Sequence, residues 1–465
     1  MPNPTDLVRL RSGAVVAPAG HGKTEVIANV AALGVRALVL THTHAGVHAI
    51  RSRMKRLSIP SSAVSVDTIA GWCMRYANAF PKVAQPPEGM PKNGQEWDQL
   101  YRGTILALRV QAVREVVAAS YDRILIDEYQ DCNALQHELA VVLAEIAPTL
   151  IFGDPMQGIF EFAGATLNWE GHIHDDFPLA GSLDTPYRWN GKNPDLGAWV
   201  ARTRDKLIAG ERIDLMDGPI AFRETDDAFE MGLFFDGIDS RNGSQAAIHC
   251  RRGMCNQLAR ASSGGFQAIE EMAANRLHAF ATTWDASPEN GDRLAAVKAL
   301  MEECVNKKSA VGGTAPDLED QAIADEMNTI AKTLSEGNGA AQLLRLFALA
   351  RMRPRWRIFR GEIWRDAERA IGEVDAGRCE TMTEAAGVVR QRMSNSGRRL
   401  PTRTVSTPLL LKGLEFDHVV IPDATHFARE NQAQAKLFYV AISRATRSLT
   451  IASSSRFLQF PKPTI

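Results

Sequence analysis

The stretch that most constrains this chain is residues 14–33. There an apolar run, AVVA (14–17), passes through Pro18, Ala19, Gly20, His21 and Gly22 to Lys23 and Thr24, and enters the helical period TEVIANVAAL (24–33). A strand, a glycine-containing turn and a helix in that order bring backbone N–H groups and the positive end of a helix dipole to one place, which is a cradle for phosphate. Ala17, Gly20, His21, Gly22, Lys23 and Thr24 therefore read as a phosphate-binding loop in which Ala17 stands where the first glycine is usual. In such a loop the lysine reaches the β- and γ-phosphates and the Thr24 hydroxyl is a ligand for Mg²⁺.

A phosphate loop that does chemistry needs carboxylates, and ILIDEYQD (124–131) supplies them: an apolar strand that empties into Asp127 and Glu128. Asp127 at the strand end suits the cation, and Glu128 suits the task of polarising an attacking water. The bland alternative for this segment is an acidic helix N-terminus.

Around these segments the first third alternates short apolar runs with helical periods: ALVL (37–40), then Val47, Ile50, Met54 and Leu57 on one helix face, then VSVDTI (64–69), RILID (123–127) and TLIFGD (149–154). That rhythm predicts an α/β fold with a parallel sheet covered by helices, its ligands at the strand ends. The second of these helices carries Arg51, Arg53, Lys55 and Arg56 on its other face, read either as a phosphate-backbone contact or as a solvated basic face. A Pro- and Gly-containing stretch, 81–95, opens a small insertion; after residue 260 the pattern is mostly helical, and strand-like runs return at 402–408, 416–423 and 448–453.

The 465 residues are worth about three domains at roughly 150 residues each, and 45% hydrophobic with 23% charged residues describes a folded globular chain. With 53 Lys plus Arg against 54 Asp plus Glu, nucleic-acid contact would have to come from local patches. No apolar run reaches the length of a membrane span or a secretory signal, so the expected location is the cytoplasm and no membrane partner is expected. Six cysteines without a CxxC pair suit reduced thiols; His249, Cys250 and Cys255 come nearest to a metal cluster, but their spacing is wrong for a zinc knuckle.

Taken in order, the motifs resemble those of superfamily 1 helicases of the UvrD, Rep and PcrA type, across nearly the whole chain. Gly153-Asp154-Pro155-Met156-Gln157 to Ala165 is similar to the family's third motif, Leu183 to Arg188 to its fourth, Lys412 to Asp417 to its fifth and Phe438 to Ala445 to its sixth. The resemblance implies two RecA-like P-loop NTPase motor domains that hydrolyse ATP with Mg²⁺ at their interface. It gives the first motor domain residues 1–80 and 119–200 with a small insertion at 81–118, and the second 201–260 and 401–465 with a mainly helical insertion at 261–400.

It also implies roles. Gln157 would sense the γ-phosphate, Tyr187 pack on adenine, Arg188 contact the γ-phosphate, Glu415 bind the ribose and Arg444 act as the finger from the second motor domain. Arg188 and Arg444 lie far from Lys23 in sequence, so they are expected to meet the phosphates only when two domains close. Thr41, His42, Trp72 and Phe162 would line a track for single-stranded or partly duplex DNA, followed 3′ to 5′; Trp72 reads equally well as a core residue of an amphipathic helix.

Several positions depart from the family pattern. No glutamine precedes the loop, His42 stands where an aromatic such as phenylalanine is usual, Ala45 where lysine is common, Ala163 where arginine is usual and Leu409 where histidine is usual. Both insertions are short for UvrD or Rep, a compactness similar to the helicase-like subunit of the Gabija anti-phage system, which is paired with an OLD-family nuclease. Two readings therefore stand: a DNA-dependent motor, and a nucleotide-binding, DNA-responsive regulatory subunit of a nuclease complex in antiviral defence with little unwinding of its own. A last stretch, Arg351 to Arg360, interleaves arginines with Trp356 and Phe359 and suits phosphate contacts with base stacking, a protein interface or a solvated helix.

Overall fold

A computed structural model describes the chain except at residues 1, 35, 160–166, 238–241, 270–272, 287–289, 308–317, 335–338, 397–400 and 431–432. By contact the chain divides into two compact units, residues 1–221 with 425–448 and 455–465, and residues 222–424 with 449–454. Residues 201–221, 425–448 and 455–465, expected in the second motor domain, thus group with the first unit.

The first unit is built on strands β1 (Ser12–Val16), β2 (Ala37–Thr41), β3 (Val64–Thr68), β4 (Arg123–Ile126), β5 (Thr149–Gly153) and β6 (Leu179–Ser182), in the order β3-β2-β4-β5-β1-β6. All five ladders are parallel. Five of these strands lie where the apolar runs predict them, because a parallel strand covered on both faces must be apolar on both. The alternation of side chains sorts them to two cores. Val15, Val39, Leu125 and Phe152 pack with Ile27, Val30 and Ile50 of the helices Lys23–Ala32 and His44–Arg56. Leu38, Leu40, Ile124, Ile126 and Ile151 pack with Trp72, Leu139 and Leu143 on the other side. The segment 81–120 folds as three helices, Pro81–Ala84, Gly94–Leu108 and Gln111–Ser120. A two-stranded ladder joins β7 (Ile213–Asp214) to β16 (Phe457–Leu458).

A second sheet, most of whose residues belong to the second unit, is formed by β8 (Ala221–Glu224), β9 (Gln245–Ile248), β10 (Gln267–Ala268), β13 (Arg403–Ser406), β14 (Phe416–Ile421) and β15 (Ala445–Ser453) in the order β10-β13-β9-β14-β15-β8. The ladders linking β10, β13, β9 and β14 are parallel. Between β10 and β13 the chain is mainly helical, with its own core around Trp284, Phe347 and Trp364, and a short antiparallel pair, β11 (Val305–Lys307) with β12 (Trp356–Ile358). The mixed α/β architecture with two sheets of RecA-like kind is the fold class expected. The short strands β8, β10, β11 and β12 escape a reading of the sequence because two to four residues hold too little periodicity. Among the described residues no helix is long and apolar enough to cross a membrane.

Candidate nucleotide-binding and catalytic site

The ends of β1, β4 and β5 converge on the loop that precedes the helix Lys23–Ala32. Ala17 N–H donates to Gly153 O at 2.8 Å and fixes the start of the loop against β5. The chain then turns through Gly20 (φ 76°) and Gly22 (φ 84°), both in the left-handed region that glycine reaches without strain. A Cβ on Gly20 would lie 2.7 Å from Arg188 Cβ, and one on Gly22 would press on the Tyr187 ring at 3.1 Å. Gly20 is thus required by backbone angle and by space and Gly22 by backbone angle, and the loop has the form of a phosphate cradle. His21 is turned inward, its Nδ1–H donating to Ala19 O at 2.9 Å, and burial lowers its pKa, so the ring is neutral.

Lys23 stands at the first turn of the helix with its Nζ 2.7 Å from Asp127 Oδ1 and 2.6 Å from Glu128 Oε1. Burial alone would lower the lysine's pKa, and the two carboxylates outweigh it and raise it well above its ordinary value. Burial pushes the Asp127 carboxyl up, Lys23 pulls it down, and Glu128 adds to the upward push. The local backbone explains why the two carboxylates diverge. Asp127 N–H makes the last sheet bond, to Leu40 O at 2.8 Å, and Glu128 turns into the left-handed region (φ 57°), where a non-glycine residue is uncommon and strained.

Beyond β5, Asp154 is buried and gathers three donors: Met156 N–H at 3.2 Å, Gln157 Nε2 at 3.1 Å and Arg204 Nη2 at 2.9 Å. Arg204 is itself buried, which alone would lower its pKa, but the Asp154 charge raises it. Gln157 Oε1 accepts from Arg444 Nη2 at 3.3 Å, and Arg444 is 1% exposed, with its Nε donating to Val440 O at 2.9 Å. Arg188 donates through its backbone to Gly20 O at 2.9 Å and through Nη1 to Ser443 O at 2.6 Å. Tyr439 Oη accepts from the loop amide of Ala19 at 2.9 Å.

Lys23, Asp127, Glu128, Gln157, Arg188 and Arg444 therefore fall within one contact unit, the first. Arg188 follows β6 directly, and the segment bearing Arg444 packs against the third-motif residues. Tyr187 is half-exposed above Gly22, whereas Glu415 is exposed ahead of β14 in the second unit. Arg204 has no signal in the sequence, since a lone arginine on a helix is by default solvated; only the fold brings it 50 residues back to Asp154.

The strand-track residues fare differently. Trp72 is fully buried, stacked on Tyr76 at 4.2 Å between ring centroids, and its alternative reading as a core residue is the one the structure realises. Trp72→Ala should cost about 3–5 kcal/mol of stability through the cavity it leaves. Denaturant unfolding checks this, and a folded Trp72→Phe chain should bind DNA as the parent does. Thr41 is buried at the end of β2, and His42 is half-buried with its Nε2 3.4 Å from Cys132 Sγ. Phe162 lies outside the described residues. On the helix His44–Arg56, Arg51 donates to Val66 O and Arg53 pairs with Glu25, while Lys55 and Arg56 stay exposed.

Near the second sheet, Cys255 Sγ donates to His249 O and the His249 Nδ1 accepts from Arg251 N–H at 2.9 Å. Trp356 has Lys307 Nζ 4.7 Å and Arg353 Cζ 4.9 Å from its ring centroid, and Arg353 is forked onto Asp320, so these residues of the basic and aromatic stretch are engaged within the helical insertion itself.

An α/β sheet with a glycine loop, a largely enclosed lysine and two carboxylates at the end of the strand β4 defines a protein of the phosphate-loop nucleotide-binding class. Comparison with known proteins narrows the class. The UvrD/REP helicase N-terminal domain matches residues 88–178, which include Asp127, Glu128 and Gln157. The UvrD-like helicase C-terminal domain matches residues 405–452, which include Arg444. Over 82 residues the chain is 34% identical to RecBCD enzyme subunit RecB of Buchnera aphidicola subsp. Schizaphis graminum; the matched stretch is 17% of this chain and 7% of that subunit. Residues 88–178 and 405–452 are thus similar to UvrD-like helicase domains, in agreement with the resemblance the motifs show.

Proposed function

We propose that this protein is an ATP-dependent motor of the superfamily 1 kind, which hydrolyses ATP at the site just described and moves along single-stranded DNA. The observation that carries the reading is Lys23 joined to both Asp127 and Glu128 beneath a loop that turns through left-handed Gly20 and Gly22.

The Thr24 hydroxyl and the Asp127 carboxylate are hard oxygen donors of the sort Mg²⁺ prefers, and they are the residues that would hold it. When bound, that ion supplies charge neutralisation at the β- and γ-phosphate oxygens. The chain's own groups do the rest. Backbone N–H groups of the loop and Lys23 hold the phosphates. Glu128 accepts the proton of a water whose oxygen bonds to the γ-phosphorus while the bond from that phosphorus to the bridging oxygen breaks, giving ADP and phosphate. Gln157 sits between Asp154 and Arg444, so it is placed to report on the γ-phosphate, and Arg188 and Arg444 supply planar donors for the charge that spreads over the transferring group. The half-exposed Tyr187 ring suits stacking on a base.

Movement on DNA, its 3′ to 5′ sense, a cytoplasmic location and a nuclease partner are parts of the proposal that rest on the family resemblance. The exposed Lys55 and Arg56 in the last turn of the helix His44–Arg56 support a phosphate-backbone contact. Binding of a single strand should weaken with salt at a slope of about −0.7 in log K against log salt for each phosphate engaged. Fluorescence anisotropy across a salt series measures it, and a flat response removes nucleic acid from the account.

A further inference from the structure

Gln130 is not part of the machinery assigned above, yet its carboxamide spans two of that machinery's elements. Its Nε2 donates to Glu128 Oε2 at 2.5 Å, and its Oε1 accepts from the backbone N–H of Asp154 at 3.1 Å. The fit is tight: a Cβ added to Gly153 would lie 2.6 Å from that Oε1. One side chain thus ties the carboxylate at the end of β4 to the backbone at the end of β5, one turn ahead of Gln157.

We propose that Gln130 is a positioning residue that aims the Glu128 carboxylate at the attacking water; the inference rests on the proposed reading of Glu128 as the base. Glu128 needs such a tether because its backbone is in the left-handed region and about a third of its side chain is exposed, so local packing does not fix its rotamer. Its other close donor, Lys23, serves the phosphates in the reaction, so its hold on Glu128 Oε1 is conditional. Gln130 is anchored to protein backbone and does not change partners when phosphate arrives. It is also neutral, and it orients the carboxylate without the charge that would quench its basicity. Through Asp154, which accepts from Gln157 Nε2, the same link sets the base and the γ-phosphate sensor in one frame.

Three variants of the full chain test this in steady-state ATP hydrolysis, with melting temperature as the control for folding. Gln130→Ala removes both bonds. Gln130→Met keeps the volume and adds no charge beside Glu128, but removes the donor to it. Both should lower kcat by about 10–100-fold, the cost of a misplaced catalytic group, with KM for ATP within about twofold of the parent. A role in packing alone predicts parental kcat for the uncharged, similarly sized Gln130→Met, and that result overturns the proposal. Glu128→Gln separates the two levels. Loss of turnover there with parental kcat in the Gln130 variants sinks the positioning role alone, and normal turnover in Glu128→Gln sinks the reading of the base on which it depends.

Discussion

Replacing Arg444 with alanine should lower kcat for ATP hydrolysis by about 10³–10⁵-fold, the range an arginine finger supplies in phosphoryl transfer. The guanidinium is held by Val440 O and the Ser443 hydroxyl, and it meets Gln157 Oε1 at 3.3 Å, so its place is fixed before any substrate arrives. A donor set in advance stabilises developing charge without reorganisation at the moment of reaction, and its removal is felt in kcat far more than in KM. Because Arg444 is fully buried, alanine leaves a cavity as well as a missing charge. Arg444→Lys keeps the charge and most of the volume but not the planar fork, and it should also be slow by at least about tenfold. Parental kcat in a folded Arg444→Lys chain would reduce the residue to a structural cation.

The second large effect concerns Glu128. Substitution by glutamine preserves size and polarity and removes only the capacity to take a proton, so kcat should fall by about 10²–10⁴-fold, the usual contribution of a general base. Nucleotide binding should be retained, because the Lys23 ammonium and the loop N–H groups are untouched and one carboxylate partner of Lys23, Asp127, remains at 2.7 Å. Single-turnover hydrolysis alongside equilibrium binding of a fluorescent ATP analogue separates the two. Weakened binding with unchanged turnover would assign Glu128 to the ground state.

The sequence made the loop and its acidic partner legible because both obey local rules: an apolar run buried on two faces, then residues whose backbone freedom or charge has one use at a strand end. The same rules fail where side chains meet across long separations. Arg204 reads as one more helical arginine until the fold sets it 2.9 Å from Asp154. Gln130 stands in plain view two residues after Glu128, but spacing says nothing about a backbone donor 24 residues away at Asp154. Trp72 was ambiguous because an amphipathic helix shows which residues share a face, not whether that face meets the sheet or a ligand; burial in the core of the first unit decides it. The contact of Arg444 with Gln157 escapes the sequence for a related reason: 287 residues separate the two, and only the packing of the helix Gln434–Ile442 on the segment following β5 brings them together.

The central claim is that the site hydrolyses ATP in response to DNA. Steady-state hydrolysis by the purified chain, with and without single-stranded DNA and with Lys23→Ala as the blank, tests it most directly. The account predicts turnover that rises at least tenfold on adding DNA and is abolished in Lys23→Ala. Turnover no greater than the blank in both conditions would contradict it and leave a nucleotide-binding regulatory subunit in its place.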